Sequence, residues 1–159
     1  MLRSGVKVAQ SYKLQVFADY HQFYLLDEQT NFVPPDDWEE QLVTRLLAVA
    51  PGIIGVGTVR NMSVPISIVV VEKRPENDGS AWNHIVEASL EVGSGEIVIM
   101  GSSDTQEEAR HLQLDAGAYR VRVHYRGLAS VSESGLVGDD YYHILLWPEV
   151  VSDPVILKR

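Results

Sequence analysis

Hydrophobic and polar residues alternate in short segments along most of this chain. In residues 13–17, Leu14 and Val16 fall on one face and the residues between them fall on the other; residues 86–92 and 119–126 alternate in the same way. A period of two is typical of a strand that buries one face. The pattern therefore predicts β-strands near both ends of the chain and in its middle.

Two of these segments also carry complementary charges on their polar faces. Glu87 and Glu91 alternate with buried-type residues in one segment, and Arg120 and Arg122 do so in the other. If the two strands are neighbours, the carboxylates pair across the sheet with the guanidinium groups. Each pair, exposed on an outer face, is expected to contribute well under ~1 kcal/mol.

The strand-like segments are short and are separated by Gly, Asn, Asp and Pro, which favour turns. Their spacing predicts a mainly β protein, an antiparallel β-sandwich or jelly-roll-like fold of about 8–9 strands with one short helix. Residues 151–159 fit either a last edge strand or a loose end. The predicted strands are residues 13–17, 20–26, 53–60, 64–72, 84–92, 96–100, 110–114, 119–125 and 142–147.

A single helix is predicted over residues 38–49, where apolar residues recur at helical spacing. Asp37 is a candidate N-cap with Glu40 three residues later, and Pro51 with Gly52 supplies the stop. In Gly55-Val56-Gly57, a strand kink or bulge is favoured over part of a dinucleotide-binding motif, because the third glycine is missing.

Length and composition indicate one globular domain, residues 1–159. The chain is 45% hydrophobic and 22% charged, which is ordinary for a protein with a genuine core. The first residues lack the apolar stretch of a signal peptide, and no segment approaches the ~20 apolar residues of a membrane span. The expected location is the cytoplasm, without membrane association.

The formal charge of −9 opposes direct binding to nucleic acid, which depends on clustered Lys and Arg. It suits a basic protein partner instead, although acidity also serves solubility. The densest acidic stretch comprises Asp36, Asp37, Glu39 and Glu40, a candidate partner-binding surface that also fits a simple role in capping the helix.

No standard catalytic motif is present: the sequence lacks a nucleophile elbow, a phosphate-binding loop and a zinc-protease pair. It also has no cysteine, which excludes disulfides and thiolate chemistry. A non-enzymatic protein without a cofactor is therefore expected. The long loop of residues 127–139, with Ser132 and Glu133, is a second candidate for partner binding, or else an inert connection that folds over the sheet.

The alternative is a metal- or small-ligand-binding β-sandwich with a site of histidine and carboxylate. Asp139, Asp140 and His143 form the densest grouping of such ligands, to which His21, His111 or His124 are possible additions. Scattered single histidines are more often structural, and His21 is expected to pack near a core edge. The aromatic residues are likewise expected to fill the core rather than to line a groove.

Four short blocks of the sequence carry a family resemblance: residues 18–25, which include Tyr20-His21-Gln22-Phe23, residues 117–123, residues 138–143 and residues 146–148. They resemble a widespread bacterial β-sandwich family of uncharacterised function. More distantly, the chain is similar to the competence protein J family of nuclease inhibitors. The resemblance implies a compact β domain that binds and inhibits a protein partner, and it supplies no catalytic residues.

The leading hypothesis from the sequence is therefore a bacterial binding protein that acts as an inhibitor or immunity-like partner of a nuclease. Its acidic surface would occupy the basic cleft of the partner. The metal- or ligand-binding sandwich is the second hypothesis, and self-association through exposed strand edges is the third.

Overall fold

A computed structural model of the chain describes residues 8–31 and 33–159. These residues form eleven strands, one α-helix and two short 3-10 turns. The mainly β prediction is confirmed, but the predicted count of 8–9 strands is too low. The strands are Val8–Phe17 (β1), Gln22–Asp27 (β2), Leu47–Ala50 (β3), Ile53–Gly57 (β4), Ser63–Val71 (β5), His84–Val92 (β6), Glu96–Gly101 (β7), Arg110–Gln113 (β8), Gly117–Arg126 (β9), Tyr141–Pro148 (β10) and Val155–Lys158 (β11).

The strands form two sheets. One has six strands in the order β1-β5-β10-β9-β6-β11, and the other has five in the order β3-β4-β2-β7-β8. Every pair is antiparallel except β5 and β10, which run parallel. The all-antiparallel prediction is therefore wrong at this one pair. The C-terminal residues form a last edge strand, one of the two predicted alternatives, because β11 pairs with β6.

The inner faces of the two sheets share one hydrophobic core. Phe23 and Leu25 from the five-stranded sheet pack in the same cluster as Ile66, Val121 and Ile144 from the six-stranded sheet. All five are almost completely buried, and full burial of one such side chain contributes about 1.5–3 kcal/mol. The predicted inner faces of β6 and β9 are confirmed, since their alternating apolar residues line this core.

The helix α1 spans Trp38–Arg45 and is shorter than predicted. Leu46 adopts a left-handed conformation with φ 56°, and its N–H donates to the carbonyl oxygen of Leu42, which ends the helix. Residues 47–50 form β3, although residues up to 49 were predicted as helix. Their apolar side chains fit an edge strand as well as they fit a helical stripe. Asp37 occupies the N-cap position as predicted, but its side chain caps no backbone N–H and instead accepts a hydrogen bond from Gln41 Nε2.

The outer face of the five-stranded sheet supports α1. Trp38 and Leu42 are buried against it, and the indole of Trp38 lies over Gly55, where an added Cβ would overlap the ring. Gly57 gives the same room to the backbone of Leu46, 3.2 Å from the position of a Cβ. β4 keeps regular pairing with β2, so the expected kink or bulge at these glycines is wrong. The glycines permit close approach of the helix.

The outer face of the six-stranded sheet is covered by chain rather than by water. Glu87 pairs with Arg120 and Arg122 of the neighbouring strand, as predicted, but all three are at most 2% exposed. Glu91, the other predicted carboxylate, lies opposite Ala118, and both arginines pair with Glu87 instead. Arg122 also donates to the carbonyl oxygen of Pro75, and Arg120 donates to that of Ser152. The expectation of exposed pairs is wrong, because two connecting segments fold across this face. One lies between β5 and β6, and the other lies between β10 and β11.

Within residues 8–31 and 33–159, no helix is long and apolar enough to span a membrane.

Candidate functional site

The solvent-facing side of α1 and the turn before it is strongly acidic. Asp36, Asp37, Glu39 and Glu40 are all exposed, and none forms an ion pair with any residue in the described part of the chain. Helical spacing places Val43, which is 81% exposed, beside Glu39 and Glu40. The predicted acidic surface is therefore a continuous face that combines negative charge with one apolar residue. We call these five residues the acidic face of α1.

A rigid support holds this face in place. Trp38 Nε1 donates a 3.0 Å hydrogen bond to Gln22 Oε1, and both side chains are buried. An open pocket of about 290 Å³ lies beside the support, lined by Tyr24, Trp38 and residues of the turn that precedes α1. Burial raises the pKa of the Tyr24 phenol, and the charge of Glu39 raises it further. The acidic face thus borders a pocket with an aromatic wall.

Three connections meet at one end of the molecule: residues 18–21 between β1 and β2, residues 58–62 between β4 and β5, and residues 127–140 between β9 and β10. Thr58 N donates to His21 O at 2.8 Å, and Asn61 N donates to Gly135 O at 2.6 Å. We call these connections the apical loops. Their mutual hydrogen bonds make them one unit rather than three separate segments.

The sequence candidates Ser132 and Glu133 lie in these loops and are exposed. Ser132 N donates to Val137 O at 2.7 Å, and Val137 N donates back to Ser132 Oγ at 3.2 Å, so this part of the loop closes on itself. Leu128 packs against the core, whereas Val137 remains 70% exposed. The loop thus folds down over the core at its start, as the second reading expected, and projects at its tip, where partner binding stays a prediction.

The structure does not bring Asp139, Asp140 and His143 together as a ligand set. Asp140 is fully buried and accepts one hydrogen bond from the Tyr142 hydroxyl, 2.5 Å away, while its other oxygen lies 2.8 Å from Nε of Arg60. Asp139 is exposed, and His143 points to the outer face of the six-stranded sheet. Within the described residues there is no group of three or more His, Cys, Asp or Glu placed to hold a metal ion.

His143 belongs instead to a cluster that sequence reasoning missed. Its ring stacks on Trp82 at 5.6 Å, lies 5.3 Å from the His124 ring, and hydrogen bonds through Nδ1 to Ser67 Oγ at 2.5 Å. Burial lowers the pKa of His143 to about 4, and burial together with the His143 ring lowers that of His124 to about 3. Both imidazoles are therefore neutral at pH 7. The sequence did hold one signal for this cluster: His124 alternates with core residues on β9, so its side chain had to face outward.

The Ser67–His143 pair has the atoms of a nucleophile and its base, but its surroundings do not suit that chemistry. Ser67 is only 6% exposed, and Trp82 lies flat against the histidine ring. A nucleophile must reach a bound substrate. The geometry fits a partly buried polar contact between β5 and β10, on which Trp82 of the β5–β6 connection stacks.

His21 lies apart from that cluster. It is exposed, contrary to the expected packing near a core edge, although its Nδ1 does hydrogen bond to Val59 O at 3.1 Å. Of the aromatic residues expected in the core, Phe23, Trp38, Tyr142 and Trp147 are buried, whereas Tyr20 is 72% exposed.

Comparison with known proteins gives the fold. No protein-family model matches the chain, and no curated protein matches it. The crystal structure of ComJ from Bacillus subtilis, an inhibitor of the DNA degrading activity of NucA, superposes with a TM-score of 0.63 at 19% identity, covering 92% of this chain and 100% of ComJ. The structure of Crocagin biosynthetic gene J has a TM-score of 0.57 at 16% identity, with 92% and 99% covered.

The distant similarity to competence protein J that the sequence blocks indicated is thus confirmed in the fold. At these identities the likeness extends to the arrangement of strands and not to any particular residue.

Proposed function

We propose that this chain is a non-enzymatic binding protein that inhibits a nuclease by occupying its basic, DNA-binding cleft. The observation that carries the proposal is the acidic face of α1, where Asp36, Glu39 and Glu40 present exposed carboxylates that no described residue neutralises. A cleft lined with Lys and Arg to hold phosphates attracts such a surface for the same electrostatic reason.

The fold supports a role as an inhibitor, because the neighbour ComJ is an inhibitor of the DNA degrading activity of NucA. The partner itself has to be argued from this chain. Its formal charge of −9 is complementary to a basic protein and repels nucleic acid. The anchoring of Trp38 to Gln22 fixes the acidic face before binding, so little conformational entropy is lost when a partner docks.

The direct test is inhibition of DNA degradation. Nucleases encoded by the source genome are purified and assayed on plasmid DNA with and without this chain. We expect one of them to lose activity at about one equivalent of the chain. Retention of full activity by every nuclease at a tenfold excess of the chain would count against the proposal.

A matched pair of variants links inhibition to the acidic face. Glu39→Lys with Glu40→Lys reverses two charges on α1. Glu72→Lys with Glu91→Lys reverses two exposed charges away from α1, one just after β5 and one in β6. Both double variants change the net charge equally. We expect the first to weaken inhibition by about tenfold or more and the second to change it by less than about threefold. Equal effects would mean that only the overall charge matters.

A further inference from the structure

The backbone at the start of the apical loops holds an unusual conformation. Tyr20 and His21 are consecutive residues with φ of 59° and 61°, a region in which side chains other than glycine cost about 1–2 kcal/mol each. Hydrogen bonds hold the bend: His21 N donates to Ala18 O, and His21 Nδ1 to Val59 O. The consequence is that the Tyr20 ring projects outward, 72% exposed, instead of joining the nearby core.

Other large apolar side chains are exposed around the same loops. Val137 is 70% exposed, Leu136 is 47% exposed and Met62 is 42% exposed. Gly135, which precedes Leu136, lies against the His21 ring, since a Cβ there would be 3.6 Å from Cε1. Tyr20, Met62, Leu136 and Val137 therefore belong to one end of the molecule, and we call them the apical patch.

The apical patch is preorganised. Its loop closes through the paired hydrogen bonds of Ser132 and Val137, and Asp139 N donates to Ser130 Oγ at 2.8 Å. Asn61 ties the adjacent connection to Gly135. An exposed tyrosine on a fixed backbone is typical of the residues that contribute most to a protein interface, because few rotamers are lost on binding. Aliphatic side chains around such a residue contribute by excluding water from it.

Carboxylates border the apical patch in the same loops, and their charge selects among occupants. The exposed Arg126 at the start of these loops lies over the Trp82 and Tyr141 rings. Glu133 and Asp139 are exposed and form no ion pair with a described residue, while the nearby Arg60 is engaged by the buried Asp140. A second copy of this chain would bring the same negative rim against itself. A basic protein surface with an apolar hollow at its centre complements the patch in both charge and shape.

We infer that the apical patch is a second contact surface for the basic partner of this chain, with Tyr20 as its central anchor. This inference rests on the proposed function for the identity of the partner as a nuclease. The acidic face of α1 governs how fast the two proteins meet, and the apical patch governs how long they stay together.

Binding kinetics with the purified partner test the division of roles. Tyr20→Ala is expected to raise the dissociation rate constant at least about tenfold and to change the association rate constant less than about twofold. Because the ring is exposed, this variant is expected to unfold at the same denaturant concentration as the wild type. The control is Val150→Ala, at a valine outside the apical loops that is 81% exposed, which should leave both rate constants unchanged. Unchanged dissociation in Tyr20→Ala would overturn the inference while leaving the proposed function intact.

Site-specific crosslinking separates the inference from the proposed function. p-Benzoylphenylalanine is placed at position 20, and the chain is irradiated in cells of the source organism. An adduct with a nuclease supports both proposals. Another outcome is an adduct with a different basic protein. If the purified complex with that protein dissociates at least about tenfold faster with Tyr20→Ala, the result supports the apical patch as a contact surface and contradicts a nuclease as the partner. An adduct only with a second copy, or no adduct at position 20, overturns the inference.

Discussion

Glu87 and Arg122 form an ion pair that is almost entirely removed from water, with Glu87 Oε2 2.7 Å from Nε of Arg122. Burial alone would raise the pKa of Glu87, but the hydrogen bonds from Arg122 and Arg120 outweigh it and hold the pKa below its ordinary value. The remaining guanidinium donors reach the carbonyl oxygens of the two covering segments. Glu87 and its two arginines therefore fasten both segments to the outer face of the sheet: Arg122 holds the segment between β5 and β6, and Arg120 holds the segment between β10 and β11.

Replacing Glu87 with glutamine is expected to destabilise the protein strongly. Removal of one partner leaves two buried guanidinium groups without a counter-charge, which costs about 3–5 kcal/mol. Urea unfolding followed by tryptophan fluorescence measures the change. The control is Glu91→Gln on the same strand, which is exposed and should alter the free energy of unfolding by less than about 0.5 kcal/mol. Similar losses in both variants would show that burial of the pair does not matter.

A methyl group added at Gly55 is expected to displace α1. The Cβ would overlap the Trp38 ring, and such overpacking typically costs about 1–3 kcal/mol. We expect Gly55→Ala to lower the free energy of unfolding by that amount and to shift the fluorescence emission of Trp38. Gly93→Ala is the matched control, because nothing lies within 4 Å of its added Cβ. An unchanged emission spectrum in Gly55→Ala would mean that the helix does not depend on this contact.

The sequence predicted much of the fold and little of the site. Alternation was sufficient for the boundaries of β6, because the pleat sets that pattern locally. The pairing of Glu87 with Arg122 was predicted only on the condition that β6 and β9 are neighbours, and the structure meets that condition. Alternation failed to show that the polar face of β6 is buried, since that depends on distant segments that fold across it. β3 was taken for helix because Leu47 and Val49 fit either period, and the decisive feature is the left-handed turn at Leu46.

Acidification is expected to destabilise the protein through His124 and His143. Their pKa values in the folded protein are about 3 and about 4, below the ordinary value of about 6.5 in the unfolded chain. The unfolded state therefore binds more protons as the pH falls below 6.5, and stability decreases by up to about 1.4 kcal/mol per pH unit for each ring. Denaturant unfolding between pH 7 and pH 5 measures this slope.

Replacement of both rings with glutamine should flatten that slope. His111 acts in the opposite direction, because its hydrogen bond to Glu96 raises its pKa and favours the folded state at lower pH. The comparison is therefore made in a His111→Gln background. A slope that persists after removal of His124 and His143 would assign the pH dependence to other groups.

Asp140 is expected to act as a structural partner of Arg60. Its carboxylate is fully buried between Arg60 and Tyr142, so Asp140→Asn should lower stability by about 2–4 kcal/mol, whether or not EDTA is present. The adjacent Asp139→Asn changes an exposed residue and serves as the control. Thermal unfolding with and without EDTA distinguishes this role from the metal-site hypothesis, under which EDTA would lower the wild-type midpoint and have no effect on Asp140→Asn.

Charge on the acidic face of α1 is expected to control the association rate with a basic partner. Long-range attraction accelerates encounter and is screened by salt over a Debye length of about 8 Å at physiological ionic strength. Glu39→Lys with Glu40→Lys should therefore slow association by about tenfold at low salt, flatten its dependence on salt, and change dissociation less than association. Stopped-flow mixing from 20 mM to 500 mM NaCl measures all three. The rates of variant and wild type should converge at high salt, where the attraction is screened; a tenfold difference that persists there would mean that these carboxylates act by direct contact rather than by steering.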